Sequence, residues 1–300
     1  MDTSAGETPW QQFVRRWHGE VEAYLKECVA PRVETPPRLT EAMAYSLLAT
    51  GKRLRPLLVL AACDLCGGDP RSALPAAAAI EMVHTYSLIH DDLPAMDDDD
   101  YRRGKPTNHK VFGEAIAILA GDGLLTRAFE VLSAELHPAE VAVACCLELA
   151  RAAGDEGMVA GQVADLQASE LSHPTLEDLE AIHRRKTGKL LCAALQLGAR
   201  VAQAPAPWRD RLLEYGRHLG LAFQIVDDLL DLSGDPHKLG KQTHKDASHG
   251  KLTYPRLLGI EESQQRARDL VWRAQQALAP WEERGAVLTD LAYFVLTRDR

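Results

Sequence analysis

Apolar residues recur along most of this chain with the spacing of an α-helix, and alternating strand patterns are almost absent. These stripes, with the Gly, Pro and Thr residues that interrupt them, predict helices over the following ranges: Pro9 to Cys28, Thr40 to Thr50, Pro56 to Cys66, Leu74 to Asp92, Glu114 to Leu136, Ala139 to Ala153, Asp155 to Ser172, Leu176 to Val201, Trp208 to Leu232 and Thr253 to Ala279. A last helix is expected before the C-terminal residues TRDR.

No linker, composition shift or internal repeat divides the chain. We therefore expect one all-α domain over residues 1–300, an antiparallel helical bundle with a deep, helix-lined interior. Residues 1–38 would supply an opening helix and a Pro-rich connection.

Two of the predicted helices are too apolar to lie on a surface, yet both carry aspartates. The first leads into DDLPAMDDDD, residues 91–100, with six aspartates. The second contains FQIVDDLLD, where a turn of about 100° per residue gathers Asp227, Asp228 and Asp231 on one face, beside Gln224. Carboxylates inside an apolar helix or at its negative end are costly unless they are paired or bound to metal. Either motif alone is compatible with a solvated helix end, but together they predict a Mg²⁺ site.

The proline inside the first motif predicts how its two ends meet. Pro94 disfavours helical geometry at Leu93, so the helix should break there and the chain should turn. That turn would return Asp97 to Asp91. The remaining aspartates either tune the electric field of the site or face water; they are Asp98, Asp99 and Asp100.

Basic residues cluster with glycine in several segments: GKRLRP (51–56), YRRGKPT (101–107), RRKTGKL (184–190), and GKQTHKD with GKLTYP (240–255). Glycine lets a backbone approach closely, Arg binds phosphate through two parallel N–H groups, and Lys acts as a point charge. Each segment alone could be a solvated basic turn. Combined with two aspartate motifs, they predict a site for one or more diphosphates.

Composition and charge argue against several other classes of protein. A net charge of -9 speaks against a nucleic-acid-binding surface. The first residues lack a secretory signal, and no charge-free apolar stretch reaches the length of about 18 residues that a membrane span needs. The six cysteines include a CxxC at Cys63 and Cys66, but no second pair completes a zinc site. We expect a cytoplasmic protein with reduced, mostly buried thiols.

The order of these motifs is similar to one known family. DDLPAMD and DDLLD, with GKRLRP before, RRGKPT after the first and KTGKL between them, resemble the trans-isoprenyl diphosphate synthases, or polyprenyl synthetases, from residue 39 onward. The likeness is greatest to bacterial farnesyl and geranylgeranyl diphosphate synthases. It implies the isoprenoid synthase fold, with a deep central cavity, a homodimer, and three Mg²⁺ ions, replaceable by Mn²⁺, that clamp an allylic diphosphate.

The resemblance also implies a reaction. Dimethylallyl or geranyl diphosphate would lose its diphosphate with the help of Mg²⁺, and isopentenyl diphosphate would attack the resulting carbocation. Loss of a proton, with the released diphosphate as base, would restore the alkene. An apolar cavity would exclude the water that otherwise traps the cation.

Matching the motifs residue by residue implies a role for each side chain. The metal ligands would be Asp91, Asp97 and Asp227, with Asp92, Asp228 and Asp231 as further ligands or as partners of the ligands. The allylic diphosphate would be bound by Arg102, Lys186 and Lys241, with Lys251 nearby, and isopentenyl diphosphate by Gly51, Lys52, Arg55, His84 and Arg103. Thr187 and Gln224 would present oxygen dipoles to the developing cation, so the catalytic set is Lys186, Thr187, Gln224 and Lys241. The helix containing GQVADL would place Gln162 and Asp165 beside the allylic pocket.

His84 and the residues after it lie on the helix that precedes the first motif. His84 projects within about 20° of Asp91, although a satisfied interior histidine would have the same position. Periodicity places Ser87 about 40° from Asp91 and Tyr86 about 140° away, which favours Ser87 as a neighbour of the growing chain. The resemblance favours Tyr86, because a bulky aromatic at the fifth position before the motif is typical of farnesyl (C15) synthases; an ordinary core or dimer contact is the alternative for Tyr86. We expect a C15 product, with geranylgeranyl diphosphate (C20) as the alternative.

Two other functions agree less well with the motifs. A class I terpene cyclase would need Asn/Asp-Asp-x-x-Ser/Thr-x-x-x-Glu where this chain has DDLLD. A non-catalytic partner subunit would be expected to lose aspartates from one motif, and both are complete here. At the C-terminus, Arg298 and Arg300 could close over the second diphosphate, but we expect a frayed surface tail.

Overall fold

The computed structural model describes residues 6–168, 172–233 and 252–298. Its helices are α1 (Pro9–Cys28), α2 (Pro37–Leu47), α3 (Leu54–Leu65), α4 (Leu74–Asp91), α5 (Asn108–Phe112), α6 (Glu114–Glu135), α7 (Ala139–Ala153), α8 (Met158–Gln167), α9 (Leu176–His183), α10 (Lys189–Val201), α11 (Ala206–Ser233), α12 (Tyr254–Leu258), α13 (Ile260–Ala277) and α14 (Ala286–Thr297). Short 3₁₀ turns cover Pro70–Ala73 and Ala279–Gly285, and a π turn, Arg184–Gly188, joins α9 to α10. The strands are β1 (Tyr101–Arg102) and β2 (Lys105–Pro106).

The predicted all-α class is confirmed. The bounds of α1 and α7 are those expected from the sequence, because a proline or glycine marks each end. Helix α2 begins earlier than predicted, at Pro37 rather than Thr40, since a proline at the first helical position needs no hydrogen-bonded N–H. No helix among the described residues is both long and apolar enough to cross a membrane.

Helices α3, α4 and α10 lie at the centre of the bundle. Helix α4 is buried nearly all round and packs against α3, α6 and α10, while α10 also packs against α7 and α11. Small residues bring these backbones together: a Cβ on Gly198 of α10 would lie 2.1 Å from the Val59 carbonyl oxygen of α3. The packing fixes α4 and α11, the two helices that carry the aspartate motifs.

Beyond shifts of helix ends such as that of α2, three segments differ from the sequence expectation. The predicted helix from Leu176 to Val201 is continuous, but it contains the π turn. The predicted helix from Thr253 to Ala279 divides at Gly259, whose φ of +81° is favourable only for glycine. An unpredicted hairpin joins β1 to β2, with Arg103 and Gly104 both at positive φ, as a tight two-residue turn requires. This hairpin is the one two-stranded sheet in the described part of the chain.

Candidate active site

The first aspartate motif folds back on itself where α4 ends. Helix α4 ends at Asp91, and the backbone N–H of Asp97 donates to the Asp91 carbonyl oxygen at 2.9 Å. The Asp99 N–H likewise donates to the Asp92 carbonyl at 3.2 Å. The predicted turn after Pro94 is therefore confirmed in the backbone, and it returns Asp97 to Asp91.

The Asp91 carboxyl group lies in an environment that disfavours its charge. Burial raises its pKa to about 6; the nearby charges of Lys186 and Arg102 oppose the shift, and those of Asp97 and Asp92 add to it. A carboxylate crowded by two others is stabilised by a hard divalent cation, whose preferred ligands are carboxylate oxygens. The donor set at this turn therefore fits Mg²⁺.

Asp92 is bound by the hairpin. Its buried Oδ1 accepts from Arg102 Nε at 2.7 Å and lies 2.6 Å from Arg102 Nη2. The same Nη2 is 3.8 Å from Asp99. Arg102 thus attaches β1 to the first motif through Asp92. It also puts a guanidinium beside Asp91, as the electrostatic coupling of the two residues shows.

The second motif lies on α11 and is connected to the π turn by hydrogen bonds. Thr187 Oγ1 donates to Gln224 Oε1 at 3.0 Å, and Gln224 Nε2 donates to Asp227 Oδ2 at 3.2 Å. Burial raises the pKa of Asp227, and the charge of Arg298 opposes the shift. Thr187, Gln224 and Asp227, which the sequence assigned to two different roles, therefore form one chain of contacts.

The expectation that Arg298 lies in a frayed surface tail is wrong. Arg298 is 9% exposed. Its Nη2 donates to Asp227 Oδ1 at 2.5 Å and to the Phe223 carbonyl at 3.0 Å, and its guanidinium lies 3.8 Å from the centre of the Phe223 ring. A cation is most stable beside a carboxylate and over an aromatic face, which is why this arginine packs inward.

The other two aspartates of α11 differ in their surroundings. Asp228 Oδ2 accepts from the backbone N–H of Tyr254 at 2.9 Å and lies 3.7 Å from His183 Nε2. His183 in turn stacks on the Tyr254 ring at 5.7 Å. Sequence reasoning did not include His183, although it directly precedes the RRKTGKL segment. Asp231 is exposed near the end of α11.

The π turn brings Lys186 against α8. Lys186 Nζ donates to Asp165 Oδ2 at 2.6 Å, and Gln162 is half-buried one turn earlier on α8. A Cβ on Gly161 would lie 2.2 Å from the Lys186 backbone nitrogen, so the two segments can touch only because residue 161 is glycine. The π turn itself is a feature often found at functional sites.

Positive groups form a second cluster near α11. Burial lowers the pKa of Arg55, which is also within electrostatic reach of Glu81, Arg103 and Asp227. Its Nε is buried and has no hydrogen-bond partner in the described part of the chain. Burial, followed by the charges of Arg55 and Arg103, holds the pKa of His84 well below its usual range, so its imidazole is neutral at pH 7. An unpaired guanidinium nitrogen among like charges is suited to an anion.

Arg53 supports this cluster, and sequence reasoning missed it. Its buried side chain donates to Glu22 at 2.6 Å, to Glu81 at 2.9 Å and to the Ala49 carbonyl at 2.9 Å. The sequence signal that could have indicated this pairing was Glu81, an acidic residue among apolar residues in the interior of α4. The loop that these bonds fix also contains Gly51, where a Cβ would lie 2.7 Å from Arg103 Nη1. Lys52 is exposed, and its charge reaches Asp227.

The two chain-length candidates lie just before the first motif. Tyr86 is buried, its ring meets His90 edge-on at 5.7 Å, and burial followed by the Asp91 charge raises its pKa. Ser87 is half-buried and donates to the His84 carbonyl at 2.9 Å. Three predicted residues lie outside the described parts of the chain: Lys241, Lys251 and Arg300.

Comparisons with known proteins show which family this chain resembles. The polyprenyl synthetase family model matches residues 36–281. A farnesyl diphosphate synthase from Geobacillus stearothermophilus is 49% identical over 96% of this chain and 98% of its own length. Geranylgeranyl pyrophosphate synthase 9 from Arabidopsis thaliana is 50% identical over 88% of this chain and 75% of its own length.

The fold of this chain is also similar to that of a solved structure. The FPP/GFPP synthase from Zymomonas mobilis, in its apo structure, superposes with a TM-score of 0.86 at 39% identity, covering 96% of this chain and 98% of that chain. The resemblance predicted from the aspartate and basic motifs is confirmed: this chain belongs to the polyprenyl synthetase family.

Proposed function

We propose that this protein is a short-chain trans-prenyl diphosphate synthase, which condenses isopentenyl diphosphate with dimethylallyl and geranyl diphosphates and forms mainly farnesyl diphosphate. The observation that carries the proposal is the pairing of two aspartate motifs, on the buried helices α4 and α11, with a dense group of cationic side chains. Relatives over nearly the whole chain include a farnesyl diphosphate synthase.

The allylic diphosphate would lie between the two motifs. Asp91, Asp97 and Asp227 would hold Mg²⁺, with Asp92, Asp228 and Asp231 supporting them. Bound Mg²⁺ would supply the positive charge that stabilises diphosphate as it leaves. Lys186, whose charge reaches Asp91, would bind the same diphosphate together with Arg102. We assign the same role to Lys241 and Lys251.

The Thr187–Gln224 pair would orient dipoles toward the developing carbocation. Because Thr187 donates its only hydroxyl proton to Gln224, its oxygen lone pairs face elsewhere and are fixed in direction. A preorganised dipole needs no rearrangement as charge develops, so it lowers the barrier more than a mobile one. The Gln224 amide is fixed at its other end by Asp227.

Isopentenyl diphosphate would occupy the second cationic cluster. Support comes from Arg55, whose buried Nε lacks a partner among the described residues, and from its neighbours Arg103 and Lys52. The glycine at position 51 lets the backbone approach this cluster closely. Because the His84 imidazole is neutral, it can donate a hydrogen bond to a phosphate oxygen without adding a positive charge to the cluster. The diphosphate released at the first site is the base that we propose for the final proton.

Product length is the part of the proposal that depends on Tyr86. Support comes from the ring, which is buried about one turn before the motif and within reach of the Asp91 charge. Geranylgeranyl diphosphate is the alternative product. Overall identity does not discriminate, since it is 49% to a farnesyl and 50% to a geranylgeranyl synthase.

We further propose a cytoplasmic homodimer. Apolar side chains are exposed on α6, at Ile118 and Leu119, and on α7, at Val143 and Leu147. A row of this kind is typical of a surface that a second copy covers. All six cysteines are free thiols, which agrees with a reducing compartment.

One assay tests the activity. Purified protein would be incubated with isopentenyl diphosphate, Mg²⁺ and each allylic primer in turn, and the products measured by chain length. We expect farnesyl diphosphate from dimethylallyl and geranyl diphosphates. A C20 main product would establish the alternative, and no condensation with any primer would overturn the enzyme assignment.

A further inference from the structure

Three side chains that the proposed reaction does not use meet at the base of the β1–β2 hairpin. Asp98, Asp100 and His109 each offer a ligand atom, and these atoms lie within 4.8 Å of one another. The two aspartates precede β1, and the histidine follows β2. The backbone closes the hairpin between them, because the Thr107 N–H donates to the Asp100 carbonyl at 2.9 Å.

The imidazole of His109 has one ring nitrogen that lacks a hydrogen-bond partner among the described residues. Thr107 Oγ1 donates its proton to the Asp99 carbonyl at 2.7 Å and lies 3.2 Å from His109 Nδ1. Since the hydroxyl has one proton, Nδ1 must donate in the second contact, which leaves Nε2 with a lone pair. Within the described residues Nε2 has no hydrogen-bond partner, and His109 is 6% exposed. One ring nitrogen of His109 lies within 4.8 Å of the Asp98 and Asp100 carboxylate oxygens. Because Thr107 already holds Nδ1, Nε2 is the nitrogen left to bind a metal ion, and a metal-binding histidine whose tautomer is fixed by a neighbour has this arrangement.

We propose that Asp98, Asp100 and His109 bind a divalent transition-metal ion of the Mn²⁺, Co²⁺ and Zn²⁺ class, at a site distinct from that of the catalytic aspartates. Imidazole nitrogen favours these ions over Mg²⁺, which prefers an all-oxygen shell. Metal–ligand distances of about 2.1 Å place neighbouring ligands about 3 Å apart. Both aspartates are exposed, so their side chains are able to rotate inward to that spacing.

Lys110 occupies part of this site when no metal is bound. Its Nζ lies 2.6 Å from Asp100 Oδ1, and this hydrogen bond raises the pKa of Lys110. The ammonium therefore competes with an incoming ion for the same carboxylate. Removing it should tighten metal binding, whereas removing a ligand should weaken it.

The ligands lie on both sides of the segment that carries Arg102 and Arg103. A bound ion would connect residues 98–100 to residue 109 and restrict the hairpin between them. Arg102 is the residue that pairs with Asp92, so the ion would order the loop next to the first motif. Metal binding at this site does not depend on the proposed prenyl transfer. The effect of the ion on Arg102 and Arg103 as substrate-binding residues does rest on that proposed function.

The test is a titration of the full-length, untagged protein with Co²⁺ in excess Mg²⁺ and without any diphosphate, so that oxygen-only sites stay filled with Mg²⁺. Saturable binding is expected in the wild type. Asp98→Asn should weaken it at least about tenfold, and Lys110→Gln should tighten it by about twofold to tenfold. Asp155→Asn, at an exposed aspartate on the turn between α7 and α8, is the matched control and should leave binding unchanged.

Proton NMR of the Co²⁺-loaded protein gives a second readout. Coordination through Nε2 should shift one exchangeable imidazole proton, the Nδ1–H bonded to Thr107, far from the diamagnetic range, and His109→Gln should remove that signal. Equal Co²⁺ affinity of Asp98→Asn and wild type, or no shifted imidazole proton, would overturn the site. Because no prenyl substrate is present, failure here is separate from failure of the condensation assay.

Discussion

The guanidinium of Arg298 lies between the carboxylate of Asp227 and the ring of Phe223, 2.5 Å from the Asp227 Oδ1 and 3.8 Å from the ring centre. Asp227 is the residue of the second motif that the proposal assigns to Mg²⁺. An arginine therefore neutralises the carboxylate that a metal ion would neutralise during turnover. The two cations compete for one oxygen, which makes Arg298 a determinant of metal affinity.

Arg298→Gln should consequently lower the Mg²⁺ concentration needed for half-maximal activity several-fold. It should also destabilise the metal-free protein by about 1–2 kcal/mol. The variant loses the charged hydrogen bond to Asp227 and leaves that carboxylate without the cation that neutralises it. Metal titration of activity and thermal unfolding in chelator measure the two effects. Arg211→Gln, which removes an exposed pair with Glu214, is the control and should change neither. An unchanged Mg²⁺ requirement would contradict the competition.

Asp91→Asn should make the metal-free protein more stable at neutral pH while abolishing activity. The folded-state pKa of Asp91 is raised to about 6, so between about pH 4 and 6 the folded protein binds more protons than the unfolded chain. The free energy of unfolding therefore falls as pH rises through that window. The asparagine side chain does not ionise, so the variant keeps the free energy of unfolding that the wild type loses. At pH 7 the variant should be more stable by about 1–3 kcal/mol, and this difference should disappear near pH 4. Denaturant unfolding in chelator at both pH values, with Asp155→Asn for comparison, checks it; a destabilised variant at pH 7 would contradict the argument.

Thr187→Val should reduce kcat by about tenfold or more and leave KM for both diphosphates nearly unchanged. The valine keeps the shape of threonine but loses the hydroxyl that donates to Gln224, so the dipole beside the reacting carbon is lost. Thr187→Ser should restore most of kcat. Thr126→Val on α6 removes a comparable hydroxyl, bonded to the Asp122 carbonyl, and should be neutral. Equal kcat values for Thr187→Val and wild type would remove Thr187 from the proposed site.

Tyr86→Ala should lengthen the main product beyond C15, since the buried ring would no longer block the chain. Ser87→Ala, one residue along the same helix, serves as the comparison and should keep the wild-type product. Chromatography of the hydrolysed products distinguishes the outcomes. Unchanged products in Tyr86→Ala would reject the ring as the floor, and lengthening in Ser87→Ala alone would favour the position that helical periodicity indicates.

Gly161→Ala should inactivate the enzyme although residue 161 is not itself a proposed ligand. The new methyl would lie 2.2 Å from the Lys186 nitrogen, so α8 must move away from the π turn and the Asp165–Lys186 contact must lengthen. We expect a destabilisation of about 1–3 kcal/mol. Gly19→Ala, in the interior of α1 with no atom within 4 Å of the added carbon, should be neutral or stabilising. Full activity in Gly161→Ala would show that the close approach is not needed.

Much of this molecule could be predicted from sequence because the signals are local. Proline and glycine mark the ends of α1 and α7, and the turn after Pro94 follows from one residue's chemistry. Contacts between distant residues gave no such signal. Arg298 meets Asp227 across 71 residues, and Arg53 meets Glu81 across 28, so their pairing depends on how the helices pack. The π turn was missed because RRKTGKL has ordinary helical composition; only the approach of α8 at Gly161 distinguishes it.

The π turn also has a consequence for the register of the long element that contains it. One extra residue in the turn shifts the sequence periodicity by one position, or about 100°, and the wider turn absorbs that shift. On one side of the turn His183 contacts Asp228, and on the other α10 packs its apolar face against α3. Because the wider turn accommodates the extra residue, deleting one residue within Arg184–Gly188 would restore a regular α-helix with both faces still aligned, whereas a deletion elsewhere between the two faces would misalign one of them. The π turn is therefore the place in this long element where one residue can be gained or lost without changing how the two faces align.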